Sequence, residues 1–287
     1  MKGLLLGGLL LISGSAWPAE RIISLGSAVT EMLYALGEGG HVVGVDSSST
    51  YPPAAQALPR VGYHRQLGAE GLLSLRPDLV IGTRQAGPPE TFERLRQAGV
   101  EVVLLDAPQS LEAALMLLQQ IADLRGRTAQ GQAIVNRIRA QIEAARAAAP
   151  QDAPRVLAVL AGQGSLMAAG RDSAADLMIR AAGGVNAGAG FSGYKPLGAE
   201  SLLGLQPDAL LVPSHILPLS GGLDNLLGQA GLAQTPAGRN RRVVVMDSAL
   251  LLGLGPRLGE AIAQLATQLK AVEAVETGGP GLATLQH

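Results

Sequence analysis

The segment Leu67-Gly-Ala-Glu-Gly-Leu-Leu-Ser-Leu-Arg-Pro-Asp78 returns 130 positions later as Leu197-Gly-Ala-Glu-Ser-Leu-Leu-Gly-Leu-Gln-Pro-Asp208, identical at nine of twelve positions. A spacing this wide excludes a solenoid, whose units recur every ~20 to 50 residues, and leaves two similar lobes. A chain of 287 residues has room for two such lobes, each with its own core. Two lobes enclose a cleft. Each copy also carries one glutamate, Glu70 and Glu200, in an otherwise apolar short helix, so matched carboxylates stand on matched parts of the two halves.

The order of elements supports this division. Arg21 to Leu25 reads as a strand, Ser27 to Gly37 as a helix capped by Ser27 and ended by Gly37, and His41 to Asp46 as a second strand. Strand, helix, strand at this spacing is a βαβ unit with parallel pairing. Within the first repeat, Ala69 to Leu75 is helical, Pro77-Asp78 a turn and Leu79 to Ile81 a buried strand. Glu90 to Ala98 then forms a helix and Val100 to Leu105 a strand. The second half is expected to replay this order, with strands over 155–160 and 209–212 and a helix from Ser173 to Gly183. Between the halves, 110–125 and 128–149 are rich in Ala, Leu, Gln, Glu and Arg and free of proline, the composition of strong helix formers. The second is a stiff connection of about 30 Å. The expected fold is α/β, with two Rossmann-like lobes built on central, mostly parallel sheets, joined by a single long helix, with a ligand cleft between them. The expected boundaries are a signal peptide over 1–19, an N-terminal lobe over 20–126, a bridging helix over 127–149, a C-terminal lobe over 150–275 and a flexible tail over 276–287; fraying is expected to begin near Ala271.

Met1-Lys2, the apolar run to Ile12 and the small-residue stretch ending at Ala16 or Ala19 have the form of a cleavable export signal. No later run reaches the ~18 apolar residues that a membrane-spanning helix needs. The chain contains no cysteine, which removes disulfides, thiolate sites and an N-terminal lipid anchor on cysteine. Export without anchoring points to the periplasm of a double-membraned bacterium. A net charge of -1 supplies no basic field for nucleic acid. A monomer is expected.

Aromatic residues make up only 2% of the chain, so a tyrosine in a polar loop is conspicuous. The stretch Leu58-Pro-Arg-Val-Gly-Tyr-His-Arg-Gln66 follows a strand, where open α/β sheets bind ligands. It places Tyr63 two residues before Arg65. A nearby guanidinium favours the anionic form of a phenol, and a phenolate oxygen is one of the few protein ligands that hold haem iron. A packed loop tyrosine is the alternative reading.

The runs Val43 to Pro53, Leu58 to Leu72 and Asn240 to Arg257 resemble the periplasmic haem-binding proteins of bacterial haem-uptake ABC transporters. The resemblance covers essentially the whole chain after the signal. It implies a substrate-binding protein of two α/β lobes bridged by one long helix, which captures ferric haem and delivers it to an inner-membrane permease for iron uptake. By the Gly-Tyr-x-Arg context, Tyr63 would ligate the iron and Arg65 would hydrogen-bond the phenolate. Glu70 and Glu200 would dock onto arginines of the permease dimer, with an outer-membrane haem receptor upstream. Some relatives hold a second haem through a histidine of the C-terminal lobe, but the matching loop here, 161–167, contains none.

From position in the second lobe, Met167, Phe191, Tyr194 and Leu217 are placed as apolar walls and His215 as a residue near the cleft. Arg171, Lys195 or Arg84 are placed opposite the propionates. His64 is expected to point away from Tyr63, because successive residues of an extended loop diverge. An enzyme is the competing class, but no GxSxG, HExxH or phosphate-loop pattern occurs. A metal-ion binder would need more histidines than the four present. A cobalamin or ferric-siderophore binding protein of the same fold is the alternative function, since neither requires Gly-Tyr-x-Arg.

Overall fold

The computed structural model describes residues 20–162, 165–229 and 231–276. The expected signal peptide and the segment beyond 276 lie outside the described residues. The N-terminal lobe runs β1 (Ile22–Ser24), α1 (Ser27–Ala35), β2 (Val42–Val45), α2 (Pro53–Gln56), α3 (Ala69–Ser74), β3 (Leu79–Thr83), α4 (Pro89–Gln97) and β4 (Glu101–Leu105). Its sheet has the order β2-β1-β3-β4 and is parallel throughout. The central strands β1 and β3 are buried along almost their whole length, as in a sheet covered on both faces. Gly37 ends the first helix as expected: at φ 76° its N–H reaches the Tyr34 carbonyl, while Glu38 N–H returns to Leu33 O. The N-cap, however, is Gly26, and Ser27 is already helical. The Asp46 carboxylate, coming from the end of β2, takes the Gly26 N–H at 2.9 Å.

Two helices follow, α5 (Leu111–Leu124) and α6 (Thr128–Ala147). The second is the bridge, and it buries Ile134, Val135, Ile138, Ile142 and Ala145 along one face.

The C-terminal lobe contains β5 (Arg155–Gly162), β6 (Ser165–Ala169), α7 (Ala174–Ala181), β7 (Val185–Asn186), β8 (Tyr194–Pro196), α8 (Ala199–Leu205), β9 (Ala209–Pro213), α9 (Ile216–Leu219), α10 (Leu223–Gly228), α11 (Pro236–Arg239), β10 (Val243–Met246), α12 (Ser248–Leu252) and α13 (Leu258–Glu276). It is not a full replay of the first. Where β1 leads straight into a helix, β5 turns back on itself into antiparallel β6, and β8 extends that edge, giving the order β10-β9-β5-β6-β8 with β7 also on β5. Only β5, β7, β9 and β10 pair in parallel. As expected, Ser173 caps α7, accepting from Asp176 N–H at 3.1 Å.

The repeats form α3 and α8 in matched positions. Arg76 and Gln206, equivalent residues just past these helices, both adopt left-handed backbone, at φ 46° and 39°. The Arg21 guanidinium caps the end of α3 at Leu75 O, and the Arg155 guanidinium caps α8 at Leu205 O.

The fraying expected from Ala271 does not occur there, since α13 continues to Glu276 with Val272 buried. Ile262, Leu265 and Leu269 on this helix are fully buried in a cluster that includes Ile134, Ile138 and Ile142 of α6. The same cluster takes in Ile22, Val29 and Leu33 from one lobe and Val156, Ile179 and Leu254 from the other, so a continuous apolar seam joins the lobes.

Candidate ligand cleft between the lobes

A cavity of about 980 Å³ lies between the lobes. The N-terminal lobe contributes the first turn of α1, from Gly26 to Val29, together with Ser48, Thr50, Tyr63, His64, Arg65, Thr83 and Gln85. Facing them from the C-terminal lobe are Asp172 to Ala174, Leu177, Tyr194, Ser214, His215, Asp247 to Ala249 and Leu252 to Leu254. The size lies at the upper end of the ~300–1,000 Å³ typical of small-molecule clefts. Leu177 and Leu252 give it apolar surface, and the first turn of α1, which has no side-chain cap, forms part of its wall.

Tyr63 sits on a loop that behaves as an extension of the sheet. Val45 N–H bonds to Pro59 O, Val61 N–H to Val45 O and Ser47 N–H to Gly62 O, which lays the segment along the free edge of β2. Gly62, at φ 98°, then turns the chain into the cleft. On the far side Gly87 N–H reaches His64 O, and Leu67 N–H reaches Gly87 O. The Arg60 guanidinium closes the base of the loop on the carbonyls of Asp46 and Ser49. Tyr63 is thus 45% exposed on a backbone fixed from both sides.

Asp46 organises the same region from within. It is fully buried and accepts from Gly26 N–H, Ser48 N–H, Ser48 Oγ, Ser49 Oγ and His64 Nδ1. Burial pushes its pKa up, but the hydrogen bonds from His64, Ser48, Ser49 and Gly26 outweigh that and hold it down at about 2. An ionised carboxylate only accepts, so the proton of the His64–Asp46 bond lies on Nδ1. His64 faces the cavity, contrary to expectation, with its ring centroid 4.5 Å from that of Tyr63. The alternation of an extended strand does not apply here, because the chain turns at this point, with Gln66 N–H on Tyr63 O.

Arg65 donates through Nη2 to Gln85 Oε1 at 3.3 Å. It also acts on Tyr194 of the opposite lobe. Partial burial pushes the Tyr194 phenol up, while Ser173 and the Arg65 guanidinium pull the other way. His215, in the loop after β9, is held through Nδ1 by Ser248 Oγ at 2.5 Å.

The structure therefore gathers Tyr63, Arg65, Tyr194 and His215 on one cavity. It does not bring Arg84, Met167, Arg171 or Phe191 to it. Arg84 leaves the end of β3 towards solvent and pairs with Asp106 at 2.9 Å, while its neighbours Thr83 and Gln85 face inward. Met167 lies on β6 opposite Leu160 and Pro196, and Phe191 packs on the C-terminal core beneath the Lys195 ammonium. Leu217 packs on that same core. Arg171 is exposed and bridged through its backbone to Ser192. Ser48, Ser173, Asp247 and Leu254 line the cavity without having been placed there by the sequence. Their local sequence carries no signal for this beyond lying near strand or helix ends. Among the described residues, no cluster of three or more His, Asp or Glu side chains is placed to hold a bare metal ion. Glu70 and Glu200 are exposed in the first turns of α3 and α8.

Two α/β lobes joined by one long helix around a ligand-sized cleft define a two-lobed substrate-binding protein. The chain belongs to the periplasmic binding protein family, whose model matches residues 22–250. It is similar to the solved periplasmic heme-binding protein RhuT from Roseiflexus sp. RS-1, with 45% identity and a TM-score of 0.85 over 88% of this chain and 99% of that one. It is also similar to the periplasmic heme-binding protein BhuT, solved with two hemes, at 42% identity and a TM-score of 0.82 over 88% and 98% of the two chains. A vitamin B12-binding protein of Vibrio cholerae is 26% identical over 258 residues, 90% of this chain and 91% of that one. No helix among the described residues is long and apolar enough to cross a membrane.

Proposed function

We propose that this protein captures ferric haem in the cleft between its lobes, with Tyr63 as the iron ligand, and delivers it to an ABC permease for haem and iron uptake. Haem is the cargo, not a resident cofactor. The observation that carries this reading is the placement of Tyr63: an exposed phenol on a backbone anchored to β2, in the same cavity wall as the Arg65 guanidinium. A phenolate oxygen binds ferric iron, and Arg65, which donates to Gln85, lies two residues from Tyr63. Leu177 and Leu252, with Ala28, Ala174 and Ala249, offer apolar contact to a macrocycle. Polar groups available to its carboxylates include Arg65, Tyr194 and His215. Likeness to two haem-binding structures at above 40% identity supports haem over the cobalamin reading, whose support is a relative at 26%.

Glu70 and Glu200 serve as the two docking points on the permease. They occupy equivalent positions of the repeat, in the first turns of α3 and α8, and are exposed. Two charged contacts on separate lobes fix orientation as well as position. The protein works in the periplasm, as a monomer, after removal of its export signal.

The test is a hemin titration of the apo-protein. The wild-type protein should give a ferric high-spin spectrum with a charge-transfer band, saturating at one haem per chain. Tyr63→Ala should lose that band and bind weakly; an unchanged spectrum in the variant would remove Tyr63 as the ligand, and no saturable binding by the wild type would remove haem as the cargo.

A further inference from the structure

The lobes touch directly at a seam beside the cavity, where α1 meets the turn between α12 and α13. A β-carbon on Gly255 would come 3.4 Å from Glu31 Oε2 and 3.6 Å from Ala28 Cα, and one on Gly253 would come 3.4 Å from Ser27 Oγ. Ser27 and Ala28 from one lobe, and Leu252, Gly253 and Leu254 from the other, are at the same time cavity wall. One ion pair crosses this seam. Arg257 Nε and Nη2 donate to Glu31 Oε2 and Oε1 at 2.8 and 2.7 Å, a two-pronged contact between residues 226 positions apart. Glu31 is only 5% exposed. Tyr51, also from the N-terminal lobe, covers the flat face of the guanidinium, with Cζ 3.7 Å from its ring centroid.

We infer that Glu31, Arg257 and Tyr51 form a clamp that sets the aperture of the cleft, with Arg257 as the positioning residue. The bridge α6 and the apolar cluster around it hold the lobes together along one side, but apolar packing is non-directional and tolerates small rocking at the cleft. A directional contact beside the cavity removes that freedom. The planar guanidinium is held on its edge by a bidentate carboxylate and on its face by an aromatic ring, so it resists rotation as well as separation. Parting the seam would also strand the buried Glu31 carboxylate without its partner. The wall carrying Tyr63 is thereby held opposite the wall carrying Tyr194 and His215 before any ligand arrives, and a ligand that enters has little closure to drive. The clamp acts whichever cargo the cleft takes.

The chain has no native cysteine, so spin labels on Gln97→Cys and Gln229→Cys report the lobe-to-lobe distance without interference. In the ligand-free protein one narrow distance distribution is expected. Glu31→Arg and Arg257→Glu, each placing like charges at the seam, should broaden or shift it, and the double swap E31R/R257E should restore it. Hemin should leave each single variant about tenfold faster and return towards the parental rate in the double swap. If a reversal does not fold by circular dichroism, Glu31→Gln and Arg257→Met take its place, and the same broadening is expected. Single variants as narrow as the parent, or a double swap as broad as the singles, would overturn the clamp. The distance measurement uses no ligand, so a failure of haem binding leaves its outcome readable.

Discussion

The Asp78 carboxylate accepts the main-chain N–H of Arg21 at 2.8 Å, tying the end of the first repeat to the start of β1. Asp208 makes the same bond, at the same length, to Arg155 at the start of β5. The repeat therefore has two parts with separate reasons for being duplicated. Its C-terminal aspartate builds each lobe, together with the arginine that caps the helix before it. Its glutamate stands exposed in the first turn of each short helix. Asp78→Ala and Asp208→Ala should each lower unfolding stability by about 1 kcal/mol in denaturant melts, with hemin binding retained.

Glu70→Ala and Glu200→Ala should behave in the opposite way. Each lies in the first turn of a short helix, where the helix dipole makes a carboxylate worth no more than about 0.5 kcal/mol. Stability and hemin affinity should stay near the parental values, while stimulation of the permease ATPase in liposomes should fall about tenfold for each and be lost in the double variant. Full stimulation by the double variant would place the docking surface elsewhere.

Asp46 should make the folded protein acid-sensitive. Its pKa lies at about 2 in the fold, against an ordinary value of 3.8. A depressed carboxylate contributes stability that is fully present above its unfolded value and is lost as pH falls through the folded one. That contribution, about 2 kcal/mol, should be intact at pH 6 and disappear between roughly pH 4 and pH 2. Asp46→Asn should abolish this limb of the stability curve and cost about 2 kcal/mol at neutral pH. The same variant should loosen the Tyr63 loop, seen as faster amide exchange at Val61 and Gly62.

The packing of α13 on the bridge is close enough to exclude side chains at one point. A β-carbon on Gly259 would fall 2.6 Å from Gln141 Cβ of α6, so Gly259→Leu should push the helices apart and destabilise the protein by about 2 kcal/mol. Ile262→Ala, which leaves a void in the fully buried face of α13, should cost about 3 kcal/mol. Thermal melts of both variants check this; a neutral result for Ile262→Ala would mean that the helix contributes little to holding the lobes.

The two lobes, the parallel N-terminal sheet, the bridging helix and the Tyr63 loop were all legible in the amino-acid sequence. Each rests on short-range chemistry: a repeat, an apolar run of strand length, a proline-free stretch of helix formers, or a polar loop after a strand. The antiparallel turn from β5 into β6 was not legible, because Arg155 to Leu160 reads alike whether the next strand returns beside it or follows a helix. The helical order of α13 from Ala271 to Glu276 was not legible for a related reason. Its helix formers are unremarkable alone, and burial of Ile262, Leu265 and Leu269 against α6 is what holds them.

The site divides along the same line. Sequence alone determined which residue types were available for binding, and that Tyr63 stands next to a glycine and near an arginine at a strand end. Only the tertiary structure decided that Tyr194 and His215 join it across the cleft, that Arg84, Met167, Arg171 and Phe191 do not, and that His64 turns inward onto Asp46. Which way a loop side chain faces depends on the neighbours that take up its backbone hydrogen bonds and fill the space behind it. Those neighbours come from distant parts of the chain, as Arg257 comes to Glu31 from 226 residues away.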